Sequence, residues 1–206
     1  MPGTDEVDDY DLAGLGIGDE VDTLLATRNG VAVLFGAWTE NNGASSYRGW
    51  GGWMEHSAFE VETGTTVEDI DGANTRISFR YGMAGGDLTG SAPTGSATWR
   101  GVMIGTPATG DRKDNRLVGD AALTFDLAAT TLDAAFTSIV DMDRAGAPHS
   151  VASVQFSDVP VSGSGEYSAG STGDRISGGF YGPNHAETAG VFEQSNIVGA
   201  FGAKQQ

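Results

Sequence analysis

The sequence predicts an all-β protein: an eight-stranded antiparallel up-and-down β-barrel, preceded by a smaller N-terminal β unit carrying a short helix. Three observations lead there. Apolar residues recur at every second position along many short runs, the period of strands with one buried face. Glycine fills 32 of the 206 positions without a triplet repeat, which suits a tightly curved sheet with many turns. Clusters of Gly, Pro, Asn and Ser interrupt the alternation at short intervals.

In chain order, residues 1–20 form an acidic lead, read as a flexible tail. Asp5, Glu6, Asp8, Asp9 and Asp11 have the oxygen chemistry of a calcium site, but no calcium-loop pattern surrounds them. An N-terminal unit is expected over 21–94. Within 19–28, Val21, Leu24 and Leu25 fall at i, i+3 and i+4, which predicts a short amphipathic helix ended near Asn29 and Gly30. Residues 31–38, VAVLFGAW, are apolar throughout and read as a strand buried on both faces or covered by that helix. A turn follows at Asn41, Asn42 and Gly43.

Tyr47, Trp50, Trp53 and Phe59 are then interleaved with glycines, an arrangement that serves either as packing between sheets or as an exposed binding platform. Residues 62–74 are acidic and polar, hence a loop. Residues 76–81 alternate, with Ile77, Phe79 and Tyr81 inward and Arg76, Ser78 and Arg80 outward. The Gly, Ser and Pro run at 82–95 reads as a linker, with the barrel occupying 95–206.

Strands of the barrel are expected at 97–104, 116–127, 131–140 and 151–156, with a fifth, broken by glycines, at 159–167. Leu123, Phe125, Leu127, Leu132, Ala134 and Phe136 point inward, while Thr124, Asp126, Asp133 and Thr137 point out. The stretch 175–204 supplies three more strands, marked by Ile176 and Phe180, by Ala189 and Val191, and by Ile197 and Phe201. That makes eight, the number at which a closed barrel is just filled by side chains or holds one small ligand. The connections are short enough for neighbouring antiparallel strands, with the last strand pairing near Trp99.

The closing stretch also carries a specific wording. FYGPN at 180–184, Ala186 and Glu187, GVF at 190–192 and GAFGAK at 199–204 resemble the closing strands of the C-terminal barrel of transferrin-binding protein B and its lipoprotein relatives. WGGWMEHSAF, at 50–59, is similar to the N-terminal portion of short bacterial members of the same barrel family. The resemblance implies a non-catalytic binding protein that captures a protein or an iron- or haem-bearing ligand. It further implies a role in iron acquisition and a place at the cell surface, on the outer membrane, or outside the cell. The chain departs from the large member in having one barrel with a reduced N-terminal unit where that protein has two full lobes. Most relatives of that family carry a lipidated cysteine near the N-terminus; this sequence has no cysteine, and its first residues lack a basic and apolar leader.

Composition narrows the function classes. A formal charge of -17 repels phosphates and disfavours nucleic acid and anionic membrane as partners. No apolar run is long enough to span a membrane as a helix. The lack of cysteine excludes disulfides, thiolate metal sites and thiol catalysis. No G-x-S-x-G elbow, phosphate-cradling loop or sugar-binding context around Asp141 and Asp143 supports an enzyme.

Candidate ligand-binding residues come from the aromatic segment and the two longer loops, expected at 105–115 and 141–150: Tyr47, Trp50, Trp53, His56, Arg112, Lys113 and His149. No resident cofactor is expected. For a haem ligand, His56 beside Met54 and Trp53 is the best axial group and His149 the second, while His185 in the GPN turn reads as structural. Two rival readings stand beside protein capture. One is a small-molecule or haem carrier with a pocket inside the barrel or between the two units. The other is a passive or self-associating surface protein.

Overall fold

The computed structural model describes residues 23–39 and 45–206. The acidic lead, its carboxylates and the turn at Asn41, Asn42 and Gly43 lie outside the described residues. At the first described residues the predicted helix gives way to a strand, β1 (Thr23–Arg28), paired antiparallel with β2 (Val31–Thr39). Asn29 and Gly30 join them at φ +47° and +77°. An Asn-Gly pair with both angles positive makes the two-residue hairpin turn whose twist matches the flanking strands. The helix-like spacing of the leucines arises from a bulge: pairing passes from Leu24↔Leu34 to Ala26↔Val33 and leaves Leu25 extra.

Asp71 and Gly72, at φ +53° and +81°, make a second such turn, between β4 (Ser57–Ile70) and β5 (Ala73–Gly86). The expected loop at 62–74 is therefore a long hairpin, and β5 runs well into the expected linker. With β3 (Ser46–Trp53), these strands form a five-stranded antiparallel meander in the order β1-β2-β3-β4-β5.

The second sheet comprises β6 (Ala97–Pro107), β7 (Leu117–Asp126), β8 (Thr131–Asp141), the short β9 (Ala147–Pro148), β10 (Ser153–Pro160), β11 (Glu166–Ser171), β12 (Asp174–Tyr181), β13 (Glu187–Gln194) and β14 (Ile197–Gln205). Its order is β10-β8-β7-β6-β14-β13-β12-β11, with β9 beside β8. The last strand pairs with β6 along its whole length, ending at Gln205↔Trp99, as the sequence predicts. At the two ends of the path, β10 and β11 share one isolated bridge, Val161↔Tyr167, and a Ser162 N–H to Glu166 C=O hydrogen bond of 2.8 Å. The curled sheet thus meets itself at one point without a continuous ladder.

Bulges explain where the predicted strands and faces slip. Ser138 and Asp158 both sit at φ +54° beside register shifts. Each inserts a residue that resets the alternation, so Ile139 and Val159 return to the buried side. The expected fourth and fifth strands are redistributed accordingly: Val154, Phe156 and Val159 belong to one strand, β10, and the next, β11, begins only at Glu166. Leu127, expected inside, is 46% exposed because β7 ends at Asp126.

The barrel interior is filled. The ring of Phe136 lies 4.6 Å from that of Phe192 and 5.0 Å from that of Phe201, centroid to centroid. Trp99 and Phe180 approach to 4.8 Å, and Tyr167 closes on Phe180 at 5.6 Å. All these rings are buried. Aromatic rings bury large apolar areas and prefer such offset and edge contacts.

The five-stranded sheet lies on the outside of this wall. Val31, Val33, Trp50, Phe59 and Val61 pack against Val102, Ile104, Val118 and Ala200, which point out of the barrel. Close approach requires Gly202, where a Cβ would overlap the ring of Phe59. Gly202→Val is expected to lower stability by about 1–3 kcal/mol through overpacking, read as a lower urea midpoint at unchanged slope.

The face of β5 is the reverse of that predicted. Arg80 reaches a barrel-loop aspartate, Gly82 lies against Gly199, and Ala84 packs on the shared core, so the even positions face the barrel. Phe79 and Tyr81 turn away from it. Apolar side chains at the odd positions of this strand point the alternation the wrong way, and the partners that decide its orientation lie far away in sequence.

Candidate binding surfaces

The two longer loops come together at one end of the barrel, as alternating antiparallel hairpins require. Residues 108–116 connect β6 to β7, and a 3₁₀ turn, Met142–Arg144, follows β8. Asp143 is their centre. It accepts from the Arg116 N–H at 2.7 Å, from Arg116 Nε at 3.0 Å and Nη2 at 2.6 Å, and from Arg48 Nη2 at 3.2 Å. Asp141, fully buried, accepts from Asn115 Nδ2 at 2.9 Å and from the Asp143 N–H at 3.1 Å. Arg80 grips Asp114 with two donors, and Arg48 Nη1 donates to the Asp114 carbonyl at 3.1 Å. The Arg116 guanidinium also covers the ring of Phe35 at 4.1 Å.

Arg48 lies on β3 and Arg80 on β5, whereas their partners lie on the barrel loops. The cluster is therefore an electrostatic latch between the two sheets. Burial alone would raise the Asp143 carboxyl; the hydrogen bonds from Arg116 and the charges of Arg48 and Arg116 outweigh it and hold the group below the ordinary carboxylate range. A carboxyl lowered in the folded state stabilises above the unfolded pKa, and that stability is lost as the pH falls through the folded value. Acid unfolding of the wild type is accordingly expected to carry a component below about pH 4 that is missing in Asp143→Asn, measured by urea midpoints at stepped pH.

Of the residues proposed from sequence, Arg112 and Lys113 join this cluster, Arg112 lying 3.9 Å from Asp141 and Lys113 4.0 Å from Asp114. His149 sits where the β8 loop returns, its ring Nδ1 accepting from the Val151 N–H at 3.1 Å. Arg48, Arg80, Arg116, Asp114, Asp141 and Asp143 were not among the candidates. For the loop members the signal is the density of Asp and Arg, which also suits ordinary turns; Arg48 and Arg80, on strands of the other sheet, carry no local signal.

The aromatic segment divides. Trp50 is 1% exposed and belongs to the core between the sheets, whereas Trp53 is 52% exposed on the far face. Tyr47, half-buried, shares that outward parity, its ring 5.1 Å from Phe79. His56 lies in the β3–β4 turn, its ring against the backbone of Gly182.

That turn is held by one buried carboxylate. Glu187 accepts from the Glu55 N–H at 2.8 Å, the His56 N–H at 3.0 Å and the Ser57 hydroxyl at 2.8 Å. Nearby, the Trp99 indole N–H donates to the His185 carbonyl at 2.8 Å. The two characteristic wordings of the sequence, WGGWMEHSAF and FYGPN with its following Glu187, thus meet in space and build the joint between sheet and barrel.

Among the described residues, the surface has two grooves of note. One, of about 530 Å³, runs between β5 and the outer wall of the barrel and includes Arg80, Tyr81, Arg175, Phe192 and Glu193. The other, about 690 Å³, lies at the β10–β11 seam beside Tyr167 and Tyr181. Neither is lined by His56 or His149. Among the described residues no helix is long and apolar enough to cross a membrane.

A curled β-sheet with a filled interior, a second sheet latched to its wall and exposed grooves, loops and aromatic side chains defines a β-barrel scaffold that offers its outer surface. Residues 41–205 match the family described as C-lobe and N-lobe beta barrels of Tf-binding protein B, and the chain belongs to that family. Among solved structures it is similar to "The Structure of Intact Ap-TbpB (N and C lobes)", with 17% sequence identity and a TM-score of 0.40. The match covers 91% of this chain and 38% of that one, so this chain corresponds to well under half of it. No curated protein matches.

Proposed function

We propose that this protein is a non-catalytic binding protein that captures a protein ligand at the cell surface or outside the cell. In this reading residues 21–94 act as one unit and 95–206 as a barrel that carries it. Membership of a family named for a binding protein supports the class. The single observation that carries the mode of binding is the stacked interior around Phe136, Phe192 and Phe201, which leaves the outside as the place for a ligand. The candidate contacts are Tyr47 and Trp53 on the outer sheet face and Arg112, Lys113 and His149 at the loop end.

The test is a pull-down from the native environment with the soluble chain as bait. Retention of a distinct protein, competed away by free chain, is the expected result. Retention of nothing but further copies of the chain would favour the self-associating reading instead.

The groove of about 530 Å³ keeps a carrier as the second reading. Mixing with haem is expected to leave the spectrum of free haem unchanged. A saturable shift of the Soret band, accompanied by amide shifts at the groove residues Tyr81, Arg175 and Glu193, would establish the carrier.

A further inference from the structure

The far face of the N-terminal sheet has a chemistry of its own. Cross-strand register places Tyr47, Gly64 and Phe79 in one row, Gly49, Glu62 and Tyr81 in the next, and Gly51, Glu60 and Met83 in a third. At Gly64 a Cβ would overlap the ring of Phe79, so that ring lies down across the sheet instead of standing off it. The rings of Phe79 and Tyr81 are stacked 5.6 Å apart with their planes 26° from parallel. The Tyr81 hydroxyl donates to Glu62, and burial together with that hydrogen bond holds the phenol well above its ordinary pKa. Trp53, Tyr81 and Met83 are 52%, 40% and 41% exposed on this side.

Charge is sorted between the two faces of the sheet. Among the described residues of β3, β4 and β5, the outward parity carries Glu60, Glu62 and Glu68 and neither lysine nor arginine. Arg48, Arg76 and Arg80 fall on the opposite parity, where Arg48 and Arg80 meet the barrel-loop aspartates. A surface of flattened rings flanked by carboxylates is complementary to guanidinium and ammonium groups. Cations sit over aromatic faces, and carboxylates accept their hydrogen bonds. The charge of -17 would draw such a partner in over a longer range.

We infer that this face, centred on Tyr47, Phe79, Tyr81, Glu60, Glu62 and Trp53, docks an arginine- or lysine-rich polypeptide segment of a partner protein. The inference rests on the reading of the chain as an external protein binder and supplies the surface and the partner's chemistry.

The test titrates the isotope-labelled chain with a synthetic peptide of alternating arginine and glycine in about 0.15 M salt, where long-range attraction is screened. Amide shifts are expected to change in Tyr47, Trp53, Glu60, Glu62, Phe79 and Tyr81. Glu60→Gln/Glu62→Gln is expected to weaken binding about tenfold and Trp53→Ala several-fold. Asp126→Asn/Asp158→Asn, which removes the same charge from the barrel, is expected to leave it within about twofold. Shifts elsewhere, or equal losses in the two double variants, would overturn the assignment. So would a natural partner recovered by pull-down whose retention is unchanged in Glu60→Gln/Glu62→Gln; in that event external binding stands and this surface falls. Specific peptide binding here without any retained natural partner would uphold the surface and defeat the broader reading.

Discussion

Phe136→Ala is expected to destabilise the protein by about 3–5 kcal/mol, because truncating a fully packed ring removes its transfer energy and leaves a cavity. Phe136 is completely buried and touches rings from three other strands: Phe156 on β10, Phe192 on β13 and Phe201 on β14. Its loss therefore slackens both halves of the curled sheet at once. Urea unfolding checks this as a lower midpoint. A loss below about 1 kcal/mol would mean that the interior closes up easily, and hence that it is not tightly filled.

Glu187→Gln is expected to cost about 2–4 kcal/mol, since three donors lose an ionised acceptor and the new amide brings a donor where only acceptors fit. The effect should be local before it is global. Amide exchange at Glu55 and His56, expected to be slow in the wild type because both N–H groups are bonded to the carboxylate, should rise towards loop rates. The barrel amides along β6 and β14 should keep their protection, since their ladder does not involve Glu187. Equal loosening of both regions would show that sheet and barrel unfold as one unit.

Much of the barrel was legible in the sequence because its closing strands alternate cleanly and its turns use residues with few other uses. Ile176, Phe180, Ile197 and Phe201 are all buried, and β14 returns to Trp99 as expected. On β13, by contrast, it is Phe192 that enters the barrel, and Val191, one of the residues that marked the strand, packs on the outer sheet. What failed, failed for physical reasons. Bulges at Leu25, Ser138 and Asp158 insert a residue and reverse parity, turning one strand into an apparent helix and another into two strands. Asn29-Gly30 serves either as a helix end or as a hairpin turn, and only pairing with β2 decides.

The candidate surface was harder to read. Trp50 and Trp53 are three residues apart, so they fall on opposite faces of one strand, one in the core and one in solvent. No local feature says which face meets the barrel. That choice is made by Arg48 and Arg80 finding Asp143 and Asp114, residues distant in the chain. Arg112 and Lys113 were legible as a charged loop, but not as members of an internal cluster.

The most direct measurement is xenon titration followed through the methyl groups inside the barrel, those of Leu123, Ile139, Val154, Ile176 and Ile197, with Phe136→Ala as the positive control. Xenon enters dry apolar cavities, so the wild type should show no saturable shift at these methyls while the variant shows one. Saturable uptake at the same methyls in the wild type would reveal a hollow interior and contradict a protein that binds only on its outside.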